Sequence, residues 1–144
     1  MENKPKNDNT KIVNIPQENS IIIKNKNEFS SIKNSLFKIN SIEIIKNNFY
    51  DISALNNINF TYLTILSLSD NNIVDISPLK NMNAPNLKAL NLSTNKITDE
   101  YINVINDMNF PNITFINLCR NYFHDYNLFK YFKKFKCLET LYTG

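Results

Sequence analysis

The stretch Leu63-Thr-Ile-Leu-Ser-Leu-Ser-Asp-Asn-Asn-Ile73 is written again 24 residues later as Leu87-Lys-Ala-Leu-Asn-Leu-Ser-Thr-Asn-Lys-Ile97. Leu63, Leu66, Leu68, Asn71 and Ile73 keep the same mutual offsets as Leu87, Leu90, Leu92, Asn95 and Ile97. A step back of 24 reaches Ile39, Ile42, Ile44, Asn47 and Phe49, and a step forward of 26 reaches Ile113, Ile116, Leu118, Asn121 and Phe123. A further 25 residues bring Leu138 and Leu141, so four full copies and one truncated copy cover residues 39–144. A second register uses no apolar residue. Asp51, Asp75, Asp99 and Asp125 each follow the repeat asparagine by four positions, in a chain with seven Asp in all. Self-similarity at a fixed period of roughly 20 to 50 residues marks a stacked repeat architecture, in which no single copy can bury its own apolar face.

Within each copy, a pair two apart such as Leu66 and Leu68 has the period of a strand with one buried face. The residues between them then face outward. The asparagine falls where the chain leaves the strand, a place that suits a short amide able to take unusual backbone angles and to bond nearby main chain. The aspartate opens the return segment, and Asp51, Asp75, Asp99 and Asp125 are expected as helix N-caps, accepting free N–H groups. After Asp51 and Asp75 the segment is short enough for a 3₁₀ turn. After Asp99 and Asp125 it is longer. Tyr101, Ile102, Ile105 and Met108, then Leu128, Phe129, Phe132 and Phe135, predict amphipathic α-helices.

The block Leu-x-x-Leu-x-Leu-x-x-Asn-x-Ile resembles the leucine-rich repeat, and Asp75-Ile-Ser-Pro-Leu79 resembles its short-repeat subclass. That subclass includes the leucine-rich regulatory subunit of protein phosphatase 1 and the bacterial internalins. The resemblance covers about three quarters of the chain. It implies an α/β solenoid with a parallel sheet on the concave face and short helical or 3₁₀ segments on the convex face. It also implies that Asn47, Asn71, Asn95 and Asn121 form a buried structural column. The spacing of 24 to 26 exceeds that of the subclass, which lengthens the convex segments. No end cap is visible after residue 141, as in a fragment or an array whose last strand a partner covers.

Residues 1–20 are mostly polar, with Pro5 and Pro16, and are expected to be disordered. Residues 21–38 are expected to form a degenerate first repeat or a capping helix. Phe29, Ile32, Leu36 and Ile39 have helical spacing, while Asn27 and Phe29 repeat the spacing of Asn47 and Phe49.

Composition excludes several functions. The 28 Asn, 20 Ile and 15 Lys, against a single Arg, read as genomic bias. No apolar run is long enough to span a bilayer, and no apolar leader follows Met1, so an intracellular, cytoplasmic protein without membrane contact is expected. The net charge of +3 is spread evenly, which argues against nucleic acid. Lys130, Lys133, Lys134 and Lys136 are expected to form a solvated face. Cys119 and Cys137 are expected as free thiols. His124 near Cys119 and Asp125 could suggest a nucleophile pair. However, the repeat register already accounts for Asp125, and a strand column accounts for Cys119. Metal ligands are too few for a closed site, the only glycine is Gly144, and no cofactor is expected. The Asn-x-Ser/Thr sequences at Asn59, Asn91 and Asn112 are expected by chance among so many asparagines.

The outward surface can be written down from the register. Its columns are Ser41, Ile65, Ala89, Phe115, Thr140; Glu43, Ser67, Asn91, Asn117, Tyr142; Ile45, Ser69, Ser93, Cys119, Gly144; and Lys46, Asp70, Thr94, Arg120. Solenoids bind on such concave surfaces, and aromatic and Arg side chains dominate interface energetics. Ile65, Ser67, Asn91, Phe115, Asn117, Arg120 and Tyr142 are therefore the expected contacts of a protein partner. The function expected is a non-catalytic protein-interaction module, with a regulatory role implied by the resemblance; the alternative is a surface-exposed or structural repeat protein of internalin type.

Overall fold

In the computed structural model, the described residues are 19–24, 28, 39–44, 48–56, 58–124 and 128–144. Six strands of three residues each form one parallel sheet in sequential order: β1 (Ser20–Ile22), β2 (Ser41–Glu43), β3 (Ile65–Ser67), β4 (Ala89–Asn91), β5 (Phe115–Asn117) and β6 (Thr140–Tyr142). Each strand pairs with its neighbour without slip. Ile21, Ile42, Leu66, Leu90, Ile116 and Leu141 therefore stand side by side as the inward column.

The register follows from burial. A slip of one residue would turn this whole column to solvent. The inward residues that flank the strands form two further columns, Ile39, Leu63, Leu87, Ile113 and Ile44, Leu68, Leu92, Leu118, all of them buried. One continuous core results. Ile21, Leu138 and Leu141, at its two ends, are only partly buried because each has a neighbour on one side.

β1 is part of the sheet, placed 21 residues before β2, and Ile23 N–H donates to Glu43 O at 2.8 Å. The strand begins at Ser20, inside the segment expected to be disordered, and Ile23 is buried. Asn27, Phe29, Ile32 and Leu36 lie outside the described residues.

The chain returns along the convex side through 3₁₀ helices Ser53–Leu55 and Ser77–Asn81, with Pro78 in the first turn of the second. Proline suits that place because its missing N–H would have no partner there. A 3₁₀ turn rises about 2.0 Å per residue, so few residues cover the return. Each buries one residue, Leu55 or Leu79, against its neighbours.

The two longer segments differ from the α-helices their spacing predicts. Helix α1 is only Asp99–Ile102 and continues as a 3₁₀ helix, Asn103–Asp107. The last segment is a 3₁₀ helix, Leu128–Tyr131. With about three residues per turn, Leu128 and Phe132 pack inward, while Phe129 is 63% exposed. Lys134 ties this segment to the preceding coil. Its Nζ donates to Asn106 O and Met108 O at the end of the preceding 3₁₀ helix, where carbonyls lack partners. Lys134 is thus tied to backbone rather than part of a free cationic face.

Candidate partner-binding face

The repeat asparagines hold the coils together from inside. Asn95 Oδ1 accepts from Ile73 N–H of the previous coil at 3.0 Å. Its Nδ2 donates to Leu68 O of that coil at 2.9 Å and to Leu92 O of its own at 3.0 Å. Asn71 does the same with Phe49 N–H, Ile44 O and Leu68 O, and Asn121 with Ile97 N–H, Leu92 O and Leu118 O. Asn47 lies outside the described residues. The left-handed backbone angle falls one residue before the repeat asparagine at Asp70 (φ 55°), Thr94 (φ 55°) and Arg120 (φ 57°), and at Asn48 (φ 53°) in the earlier copy. The reason lies in those bonds, because an asparagine in the left-handed region would swing its amide away from the carbonyls it must reach. At Thr94, a β-branched residue, that geometry costs about 1–3 kcal/mol. The hydrogen bond from Thr94 N–H to Cys119 O, 2.8 Å, helps hold it.

The aspartates act differently from the N-caps expected of them. Asp51 Oδ1 accepts from Ser53 N–H at 2.8 Å and Asp75 Oδ1 from Ser77 N–H at 2.7 Å. Both stand one residue before the cap positions, which Ile52 and Ile76 fill. Asp99 is the first residue of α1, with Thr98 at the cap. Its carboxylate instead accepts from His124 N–H of the next coil, at 3.0 and 3.1 Å. Asp125 lies outside the described residues.

On the opposite side of the sheet the strands present two outward columns: Ser20, Ser41, Ile65, Ala89, Phe115, Thr140, and Ile22, Glu43, Ser67, Asn91, Asn117, Tyr142. Phe115 and Tyr142 come from adjacent strands and meet edge to face, ring centroids 5.7 Å apart. Offset or edge-on aromatic pairs of this kind add about 0.5–1.5 kcal/mol beyond burial.

A model of the leucine-rich repeat, in two copies, matches residues 61–107. The chain thus carries leucine-rich repeats over residues 61–107. Its fold is similar to that of an internalin (inlF) from Listeria monocytogenes, with a TM-score of 0.64 and 26% identity over 85% of this chain and 34% of the internalin. It is also similar to internalin C2 (inlC2) of the same organism, with a TM-score of 0.54 and 22% identity over 85% of this chain and 57% of that one. The present chain thus spans about a third of one internalin and somewhat over half of the other. No curated protein matches it by sequence.

In this leucine-rich repeat array, the residues expected to touch a partner fall into three groups. Ile65, Asn91, Phe115 and Asn117 are half-buried on the strands, and Tyr142 is 41% exposed. Ser67 is 9% exposed, with its hydroxyl 3.4 Å from that of Ser69, and offers little of itself. Arg120 is exposed but lies beyond the strand, in the left-handed turn, as do Asp70 and Thr94. That fourth column is therefore a rim of turns and not a strand face, while Ile45 and Lys46 lie outside the described residues. Ile22 was missed. Its signal was the alternation of Ile21 and Ile23, which matches Ile42 and Ile44, with Ile22 left outward.

The remaining chemistry candidates have ordinary partners. His124 is 85% exposed, its Nδ1 3.4 Å from Asp99 Oδ2. Cys119 Sγ donates to Gly144 O at 3.3 Å, and both cysteines are free. Among the described residues no helix is long and apolar enough to cross a membrane.

Proposed function

We propose that this leucine-rich repeat protein is a non-catalytic interaction module that binds another protein through its concave sheet. The observation that carries this reading is the Phe115–Tyr142 pair. These are two large aromatics in edge-to-face contact on an outward face, where they gain nothing from water. Aromatic anchors of this kind, ringed by small polar groups such as Ser93, Asn91 and Asn117, are what interface hot spots are made of. Ile65, two strands away, extends the same apolar line. The internalin likeness favours a second version of the same reading, a recognition array displayed on a surface.

Affinity capture with the wild-type chain and with Phe115→Ala/Tyr142→Ala, read by mass spectrometry, tests the proposal. A partner held by the wild type should be lost from the variant while circular dichroism stays unchanged. Equal recovery by both would remove the concave face from consideration.

A further inference from the structure

Asn91 and Asn117 are register partners on β4 and β5, strands about 4.8 Å apart. Asn91 Oδ1 accepts from Ser93 N–H at 3.1 Å and from Ser93 Oγ at 2.8 Å. Asn117 Oδ1 accepts from Cys119 N–H at 3.0 Å. A backbone N–H can only donate, so it dictates which end of each amide faces it. Both oxygens turn toward the backbone, and neither Nδ2 has a hydrogen-bond partner among the described residues. Beside them stands the Phe115–Tyr142 pair. From β3 to β6, neither outward column contains a charged side chain, although one residue in five of the whole chain is charged.

A ligand for this place must therefore supply hydrogen-bond acceptors. It must not bring a charge, because nothing on these strands would neutralise one once water is excluded. We infer that the concave face between β4 and β6 receives an uncharged, extended peptide segment of a partner protein. Two of its main-chain carbonyl oxygens accept from Asn91 Nδ2 and Asn117 Nδ2, and an apolar side chain rests on Phe115 and Tyr142. A main-chain carbonyl is a pure acceptor and matches a pure donor. A glycan hydroxyl also carries a proton that needs an acceptor, and Asn91 Oδ1 already accepts two hydrogen bonds and Asn117 Oδ1 one. This inference rests on the concave-face reading and narrows it to one chemistry.

The test is selection of short linear peptides from a displayed library on the full 144-residue chain, followed by affinity measurement on variants. Asn91→Asp and Asn117→Asp keep the oxygen that accepts from Ser93 and Cys119, so the strands stay formed while the outward donor becomes an acceptor. Asn91→Ala and Asn117→Ala remove the donor without adding charge. Selected peptides should lack Asp, Glu, Lys and Arg in their shared core. Their affinity should fall about tenfold for each single variant and about a hundredfold for the pair, one hydrogen bond being lost at each site. The side-chain NH₂ resonances of Asn91 and Asn117 should shift when peptide is added. A charged consensus, affinities untouched by all four variants, no enrichment at all, or glycan-array binding lost on the same substitutions would each overturn the inference. If a protein partner is lost with Phe115→Ala/Tyr142→Ala but kept with Asn91→Ala/Asn117→Ala, the concave-face reading stands and this narrower one falls.

Discussion

Asn91 and Asn95 lie four residues apart in the same coil and do opposite things. Asn95 is 5% exposed and uses both ends of its amide, the oxygen for Ile73 N–H and the nitrogen for Leu68 O and Leu92 O. Asn91, half-buried on the outward side of β4, uses only its oxygen among the described residues. The difference teaches that side-chain chemistry alone does not assign a role here. What decides is whether the neighbouring coil offers carbonyls within reach, and it does so only on the inner side of the turn. The inner amide is a structural strut between repeats, whereas the outer amide is a half-used group available to a ligand.

One substitution made in both places tests that contrast most severely. Asn95→Asp keeps the acceptor for Ile73 N–H but turns a carboxylate oxygen toward three carbonyls, Leu68 O, Leu92 O and Ser93 O, in a buried site. An unpaired buried charge costs roughly 3–5 kcal/mol, so the variant is expected to unfold at much lower urea or to fail to fold. A midpoint within experimental error of wild type would sink the strut assignment. Asn121→Ala is a milder test of the same column. It leaves Ile97 N–H without its acceptor and removes the amide's bond to Leu118 O, while Leu92 O keeps the one from Asn95. The site is half-buried, however, and water can reach it, so a loss of about 1–3 kcal/mol is expected by chemical denaturation.

Smaller effects sharpen the comparison from the loop side. Asp75→Ala removes the acceptor for Ser77 N–H at an exposed turn, and a loss of about 1 kcal/mol, as for a helix-cap residue, should appear in thermal melts. Asp99→Ala should instead weaken the tie to the following coil, seen as faster amide exchange at His124 and not as fraying of α1. At the lower limit, Asn91→Asp should change stability by less than about 0.5 kcal/mol. That is the counterpart of Asn95→Asp. If the two variants proved equally damaging, the division between inner and outer asparagines would be wrong.

The repeat itself was legible because strand period and coil period both survive in the spelling. Leu66 and Leu68, two apart, and their return at Leu90 and Leu92 predict a stacked parallel sheet, and the observed register follows without slip. Position within the turn was less legible. The asparagine marks the place where the chain leaves the strand, yet the left-handed angle belongs to Asp70, Thr94 and Arg120. Residue preference announces that only in part, since Asp70 and Asn48 (φ 53°) are types that take this region readily while a threonine is among the poorest choices for it. The return segments were misread as well. Leu128, Phe129 and Phe132 fit a helical period in isolation, but the chain forms a 3₁₀ helix over Leu128–Tyr131 and leaves Phe129 outside.

The asparagine surplus divides along the same line. By itself the sequence determined the period, the inward apolar columns and the place of Asn71, Asn95 and Asn121, because those depend on spacing along one chain. Only the tertiary structure decided what several other asparagines do. Asn72 bonds Asn48, Asn83 bonds Asn59, Asn86 reaches Thr61 O and Asn112 reaches Pro85 O, each across to the preceding coil. These partners are 24 to 27 residues apart in sequence. They come within hydrogen-bonding distance only after the coils have stacked, so composition alone records the asparagines but not the bridges they build.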